Sequence, residues 1–255
     1  FELARKWGFV PNDHINPARD IEHFKEKKRD RWVTPEELPK LTQAIDQEEN
    51  LYARYGLWLY LLTGMRKSEL LTAKWVDIDW NRSELKLADT KAGRVHYVPL
   101  SDAAIKILKE LPRLDGNPYI QPGLKVGSHM INIYKQWQRV RNRSTIKLWA
   151  EDPLTSQVVS DLNKMMEREP TCQEVRTAAN FDLPQGIEDV RLHDLRRTVG
   201  SWLAQSGNSL HLIGRVLDHS NQATTAVYAR FGQDHVHQAM EEHSRQIMKA
   251  AKREK

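Results

Sequence analysis

Thr63-Gly64-Met65-Arg66-Lys67-Ser68-Glu69-Leu70, residues 63–70, joins two helices by a tight turn, and the reading of this chain turns on it. Before it, Leu51 to Leu62 (LYARYGLWLYLL) is mostly apolar and reads as a buried helix. Thr63-Gly64 closes that helix, because glycine tolerates the left-handed backbone of a helix end. Lys67-Ser68-Glu69 opens the next one. Downstream come three short β-prone runs, Trp75–Trp80, Glu84–Leu87 and Val95–Leu100. Asn81-Arg82-Ser83 and a longer turn holding Lys91-Ala92-Gly93 separate them, the pattern of a small antiparallel meander. Ser101 then caps a helix with Ala104, Ile105, Ile107 and Leu108 on its inner face.

The rest is helical. Helices are expected around Met130–Arg141 and along Leu195, Val199, Trp202 and Leu203. After a break at Gly207-Asn208 another carries Leu210, Ile213 and Leu217. A last helix, from about Asp234, bears Val236, Met240 and Ile247 on one stripe and ends in a basic tail, KAAKREK. The fold class is therefore mainly α with a small three-stranded antiparallel sheet. Upstream, Asn16-Pro17 marks a turn and HFKEKKRDR (residues 23–31) is nearly all charge, so residues 1–30 end as a linker. Thr34-Pro35-Glu36-Glu37 starts a helix through a capping box, which places a domain boundary near residue 31. The chain opens on Phe1 in mid-helix style and is expected to be a piece of a longer protein.

Bulk properties narrow the function classes. At 255 residues the chain buries a core without staples. Its single cysteine, Cys172, excludes a disulfide framework and fits a reducing cytoplasm. No apolar run reaches the roughly 18 residues of a membrane span, and no signal peptide is legible. Net charge is +5, a balance that suits a polyanionic partner and equally well simple solubility.

Five segments carry chemistry: residues 63–70 above; Thr90-Lys91-Ala92-Gly93; His193-Asp194-Leu195-Arg196-Arg197-Thr198; Leu217-Asp218-His219-Ser220; and Thr224-Thr225-Ala226-Val227-Tyr228. Singly, each has a bland reading. An arginine at a helix start joins a surface pair, a lysine in a polar turn is solvated, and a histidine or tyrosine packs. No Cys-pair or HExxH spacing marks a metal site, and no carboxylate cluster supports a metal-dependent nuclease.

Together and in this order, the segments closely resemble the catalytic domain of the tyrosine recombinases, the phage-integrase family, from about Arg31 to Gly232. The resemblance implies that Arg66 and Arg196 fork onto a scissile phosphate and that Tyr228 attacks the phosphorus. Lys91 would protonate the leaving 5′ oxygen, and His193 and His219 would donate hydrogen bonds to the phosphate or help move the nucleophile's proton. Glu69 and Asp194 would orient the arginines and histidines behind them. Lys67, Arg94, Arg197 and Ser220 would contact DNA. It further implies a site-specific recombinase or integrase of a bacterial mobile element, acting in the cytoplasm as a tetramer on two double-stranded DNA sites. Accessory excision or bending proteins would assist, and neither metal, cofactor nor ATP would be needed. A type IB topoisomerase-like enzyme and a catalytically silent DNA-binding relative are the competing readings. The wording TGMRKSELL and the interval from His219 to Tyr228 favour the recombinase.

Three departures stand out. The family usually has glycine where this chain has Asp218; aspartate is among the better occupants of a positive φ, and its carboxylate is expected to raise the pKa of His219. Residues Ser144–Ile187 look inserted, with Leu154, Val158, Leu162 and Met165 on one helical stripe and a capping box at Thr171-Cys172-Gln173-Glu174 opening a second helix through Val175, Ala178 and Ala179. The text REPTCQEVRTAANF there resembles helix-turn-helix modules; the insertion either packs on the domain's flank or adds a DNA or protomer contact. Finally, residues 1–30 would be the end of the family's core-binding domain, so the two-domain clamp on DNA is incomplete.

Overall fold

The computed structural model describes residues 1–19, 21–22, 24, 29–88, 95–232, 240–245 and 247. The chain divides into two compact units, Phe1–Asp30 and Arg31–Lys255. In the first, helix α1 (Glu2–Lys6) is followed by turns, and the Asn16 side chain donates to Glu2 Oε1 at 3.2 Å.

The second unit holds the core. Thr34 N–H donates to Glu37 Oε2 at 3.0 Å and Glu37 N–H to Thr34 Oγ1 at 3.4 Å, so the expected reciprocal pair is present. It closes a turn, however, and helix α2 (Leu38–Asp46) begins only after it. Helix α3 (Leu51–Thr63) starts where the Asn50 side chain accepts from Ala53 N–H and stops at Gly64, whose φ of 64° is left-handed. Helix α4 (Lys67–Thr72) follows directly.

Strands β1 (Ile78–Asp79), β2 (Glu84–Leu87) and β3 (His96–Pro99) pair antiparallel in that order, Leu85 facing both Ile78 and Val98. The first β-prone run shrinks to two residues because Trp75–Asp77 winds into a 3₁₀ turn. There Trp75 N–H donates to Pro118 O at 3.0 Å, which buries the indole and leaves Val76 outside. Helix α5 (Asp102–Glu110) buries Ala104 and Leu108 as its spacing requires.

Helix α6 (Tyr134–Glu151) runs past the expected end of its segment and continues through Ser144 without a break. Helices α7 (Ser156–Met166) and α8 (Cys172–Ala178) pack on its far half. With it they form a separate apolar cluster of Ile146, Trp149, Val159, Leu162, Cys172 and Val175. The stripe expected along α7 is half right: Leu162 is buried and Val158 packs on the same cluster, but Leu154 precedes the helix and is exposed, as is Met165, while Val159 joins the buried face. The Thr171–Glu174 capping box forms, but Ala178 faces solvent.

Helices α9 (Leu192–Gln205), α10 (Leu210–Val216) and α11 (Gln222–Thr225) and the 3₁₀ segment Ala226–Gly232 complete the domain. Residues 240–245 are helical, and Met240 and Ile247 are exposed; Val236 and the KAAKREK tail lie outside the described residues. Helix α3 is central: Leu57, Leu59 and Tyr60 are almost fully buried, and it packs against α2, α4, α5 and α9. Each such side chain stabilises the fold by about 1.5–3 kcal/mol through removal of apolar surface from water. Among the described residues no helix is long and apolar enough to cross a membrane.

Candidate active site

The turn between α3 and α4 and the start of α9 meet over one shared contact. Gly64, held left-handed, aims its carbonyl at α9, where Arg196 Nη1 donates to it at 2.6 Å. Arg196 Nη2 donates to the carbonyl of Leu217 at the end of α10. A Cβ at residue 64 would lie 2.8 Å from Leu217 Cδ2, so this close approach as well as the positive φ requires glycine. Arg196 is only 4% exposed; burial, then the neighbouring Arg66, lowers its pKa, yet a guanidinium keeps its charge.

Arg66 caps α4. Its backbone N–H donates to Glu69 Oε2 at 2.8 Å and its Nη1 to Glu69 Oε1 at 2.6 Å. One carboxylate thus fixes both ends of the arginine, as the three-residue spacing implies. Asp194 does the same work at the start of α9. It accepts from Arg191 N–H at 2.8 Å, is buried, and lies 3.8 Å from Arg197. His193, one residue earlier, stays accessible to solvent; desolvation, then Arg196 and Arg197, holds its pKa below the usual value.

Asp218 has φ 47°, so the positive-φ reading of this position holds. Its carboxylate Oδ2 accepts from Arg66 Nη1 at 3.0 Å and its carbonyl from Arg66 Nη2 at 2.8 Å, a partnership not legible in the sequence. The effect of Asp218 on His219 has the expected sign but does not decide the outcome. Asp218 does raise that pKa, but burial, Arg196 and Arg66 outweigh it and bring His219 down to about 4.

His219 Nδ1 sits 2.9 Å from the hydroxyl of buried Thr225, which fixes the ring. Tyr228, on the last 3₁₀ segment and 5% exposed, lies parallel to that ring, with centroids 6.4 Å apart and planes 6° apart. The phenol rests on α9: a Cβ at Gly200 would come within 2.4 Å of Tyr228 Cζ. Burial raises the phenol's pKa, and Arg196 and Arg197 pull it back.

The structure therefore brings Arg66, Glu69, His193, Asp194, Arg196, His219 and Tyr228 to one place. Lys67 and Ser220 are exposed beside it, and Arg197 is half-buried. Lys91 and Arg94 lie outside the described residues. Sequence reasoning missed His96, Gly200 and the role of Thr225. The threonine at least belonged to a quoted segment; nothing local marks the other two.

The model of the phage integrase family matches residues 31–235. The chain belongs to the phage integrase family. Its relatives include the integrase of Salmonella phage P22, 26% identical over 223 residues, which cover 86% of this chain and 48% of that protein. A tyrosine recombinase of Thermosipho africanus is 24% identical over 214 residues, covering 84% of this chain and 62% of the relative. The chain thus spans about half to three-fifths of the length of these curated relatives. Among solved structures, the XerH site-specific recombinase bound to difH substrate in a pre-cleavage complex superposes with a TM-score of 0.54 at 19% identity. That match covers 93% of this chain and 62% of the other, a likeness of fold.

This phage-integrase site has a measurable acid signature. A histidine held below its ordinary 6.5 binds its proton later in the folded chain than in the unfolded one. Stability is then full above that value and falls as pH drops from 6.5 towards about 4. Thermal melts across this window should show a declining midpoint, flattened in His219→Asn. An unchanged slope in the variant would remove His219 as a source of the decline.

Proposed function

We propose that the chain is the catalytic part of a site-specific DNA recombinase, an integrase that cleaves and rejoins strands through a covalent 3′-phosphotyrosine. The observation that carries this reading is the gathering of Arg66, Arg196 and His193 around His219, whose ring lies parallel to a buried tyrosine seated on Gly200. Strand exchange at phosphorus needs charge neutralised, a nucleophile presented and a leaving oxygen protonated. Two permanently charged guanidiniums suit the first task, with bidentate contacts to non-bridging oxygens. Tyr228 supplies the attacking oxygen, and the phosphotyrosine conserves the bond energy so that rejoining needs no ATP. Metal and cofactor have no part in this scheme.

Lys91 is assigned as the general acid on the resemblance of its segment. His219 is neutral near pH 7 and its Nδ1 is engaged by the Thr225 hydroxyl; in the tautomer that accepts there, the proton is on Nε2 for donation to a phosphate oxygen. His193, accessible at the helix start, takes the corresponding place on the other flank. Glu69 and Asp194 hold the arginine and the helix start in position. Lys67, Arg94, Arg197 and Ser220 are assigned to the backbone of double-stranded DNA. The working assembly is a homo-tetramer on two sites, with residues 1–30 as the end of a core-binding domain that completes the grip on the duplex. The insertion, residues 144–187, carries seven acidic against four basic side chains, which supports packing on the flank over a DNA contact.

Incubation with a pool of nicked duplexes of randomised sequence should yield a denaturant-resistant adduct. Peptide mapping should place the attached nucleotide on Tyr228. An adduct on another residue, or none from any duplex, would sink the reading.

The seat on Gly200 makes its own prediction. Gly200→Ala places a methyl carbon where the phenol now lies, so the ring must shift. Misplacing a reacting group by about 1 Å lowers rates by up to about 10². Adduct formation should fall at least about ten-fold, with duplex affinity measured by filter binding within about two-fold of the parent. Equal loss of both would make Gly200 a general structural residue instead.

A further inference from the structure

Arg66 meets two carboxylates. Nη1 donates to Glu69 Oε1 at 2.6 Å and to Asp218 Oδ2 at 3.0 Å, and Nη2 to the Asp218 carbonyl at 2.8 Å. Glu69 is local to the helix start and orients the arginine. Asp218 comes from the far side of the chain, is 2% exposed, and adopts a left-handed φ in order to be there. Its second oxygen, Oδ1, points to the other side, 3.9 Å from Nδ1 of His96 on β3. Among the described residues this buried carboxylate lies between a guanidinium and an imidazole, and of these two the guanidinium is the one assigned to phosphate.

A phosphate arriving on Arg66 brings negative charge against the Asp218 carboxylate in a desolvated site, where like charges repel strongly. The repulsion falls if the carboxylate is neutralised from its other side, where His96 Nδ1 stands 3.9 Å from Oδ1. We propose that Asp218 and His96 are positioning residues for Arg66. Asp218 holds the guanidinium and opposes an incoming phosphate, and His96 takes over the carboxylate as its counter-ion when phosphate takes Arg66.

The exchange is balanced by uptake of one proton from water at His96. Among the described residues, the groups facing His96 are Asp218 and Glu69, which favour its proton, and Arg196 and Arg66, which oppose it; burial opposes it most. A phosphate on Arg66 cancels part of the opposition and leaves Asp218 dominant. The inference rests on Arg66 being a phosphate ligand, but it needs neither Tyr228 nor strand cleavage.

The test is sulfate binding to the full chain by titration calorimetry, since sulfate stays a dianion over the useful pH range. Asp218→Asn keeps the shape and an acceptor for Arg66 while removing the charge. It should bind sulfate on the order of ten-fold more tightly than the parent near neutral pH. The parent should gain affinity between about pH 7.5 and about pH 5.5 with proton uptake. His96→Gln should lose most of that gain, as should Asp218→Asn. A role in packing alone would leave Asp218→Asn equal to the parent and the acid-side gain intact in His96→Gln; either result overturns the proposal. If Asp218→Asn fails to fold, Asp218→Gly, which suits the positive φ, takes its place with the same expected direction. Sulfate binding indifferent to Arg66→Ala would sink both this inference and the phosphate role of Arg66. Arg66-dependent binding with no effect of Asp218→Asn would sink this inference alone.

Discussion

Tyr228→Phe should abolish the denaturant-resistant DNA adduct and leave the fold intact. The substitution deletes a single oxygen. The ring stays buried, parallel to His219 and seated on Gly200, so the packing that positions it is retained. Loss of a hydroxyl's hydrogen bonds changes stability by only about 1 kcal/mol, and the melting temperature should shift by a few degrees at most. The proposed chemistry, in contrast, would lose the atom that attacks phosphorus, and nothing would replace it. The measurement is a denaturing gel of parent and variant with the same nicked duplexes, beside a thermal melt. An adduct persisting in Tyr228→Phe would move the nucleophile elsewhere and undo the proposed chemistry.

Arg196→Lys should fail in two ways at once. Removing a preorganised donor aimed at developing charge lowers rates by about 10²–10³, and adduct formation should fall by that order. The second effect is structural. Arg196 joins Gly64 O and Leu217 O through two different nitrogens of one rigid plane. An ammonium is a single point and cannot span both carbonyls. A buried carbonyl left without its donor costs about 1–3 kcal/mol, and the lysine variant should lose stability by that amount in denaturant melts. Arg66→Lys is the useful contrast. That side chain is 23% exposed and its partners are carboxylates an ammonium can also satisfy, so rate should fall with little change in stability. Equal stability of Arg196→Lys and the parent would show that the two carbonyls do not depend on the guanidinium.

These contrasts show where sequence reading succeeds. The α3–Gly64–α4 corner was legible because each of its signals is local: an apolar run, a left-handed glycine, and a glutamate three residues past an arginine. The sheet was legible in order and hand, since turn residues separate its strands, but Trp75 was not. Its 3₁₀ turn depends on a hydrogen bond to Pro118, which no local pattern announces. Periodicity found Val158 and Leu162 of the α7 stripe but overran its ends, because Leu154 matches the spacing without belonging to the helix. The site's residue types were legible as an ordered set. The bond from Arg66 to Asp218 was not, because it closes across 152 positions of chain and arises only from the fold. Gly200 escaped for the same reason: a glycine in a helix reads as a weakness until the ring that lies on it is seen.

Helix α6 belongs to two apolar clusters. Trp137 and Val140, towards its start, are part of the main one; Ile146 and Trp149, towards its end, are part of the cluster shared with α7 and α8. Packing thus passes from one to the other along a single hydrogen-bonded rod. Cooperative units of this kind open at different free energies. Amides of α7 and α8 should exchange with solvent hydrogen earlier than those of α3 and α9, while the first turns of α6 stay protected. The insertion can therefore vary in sequence, or fray and re-form, with the seat of Tyr228 on Gly200 undisturbed. An evolving lineage could rebuild that appendage many times over a site that stays the same.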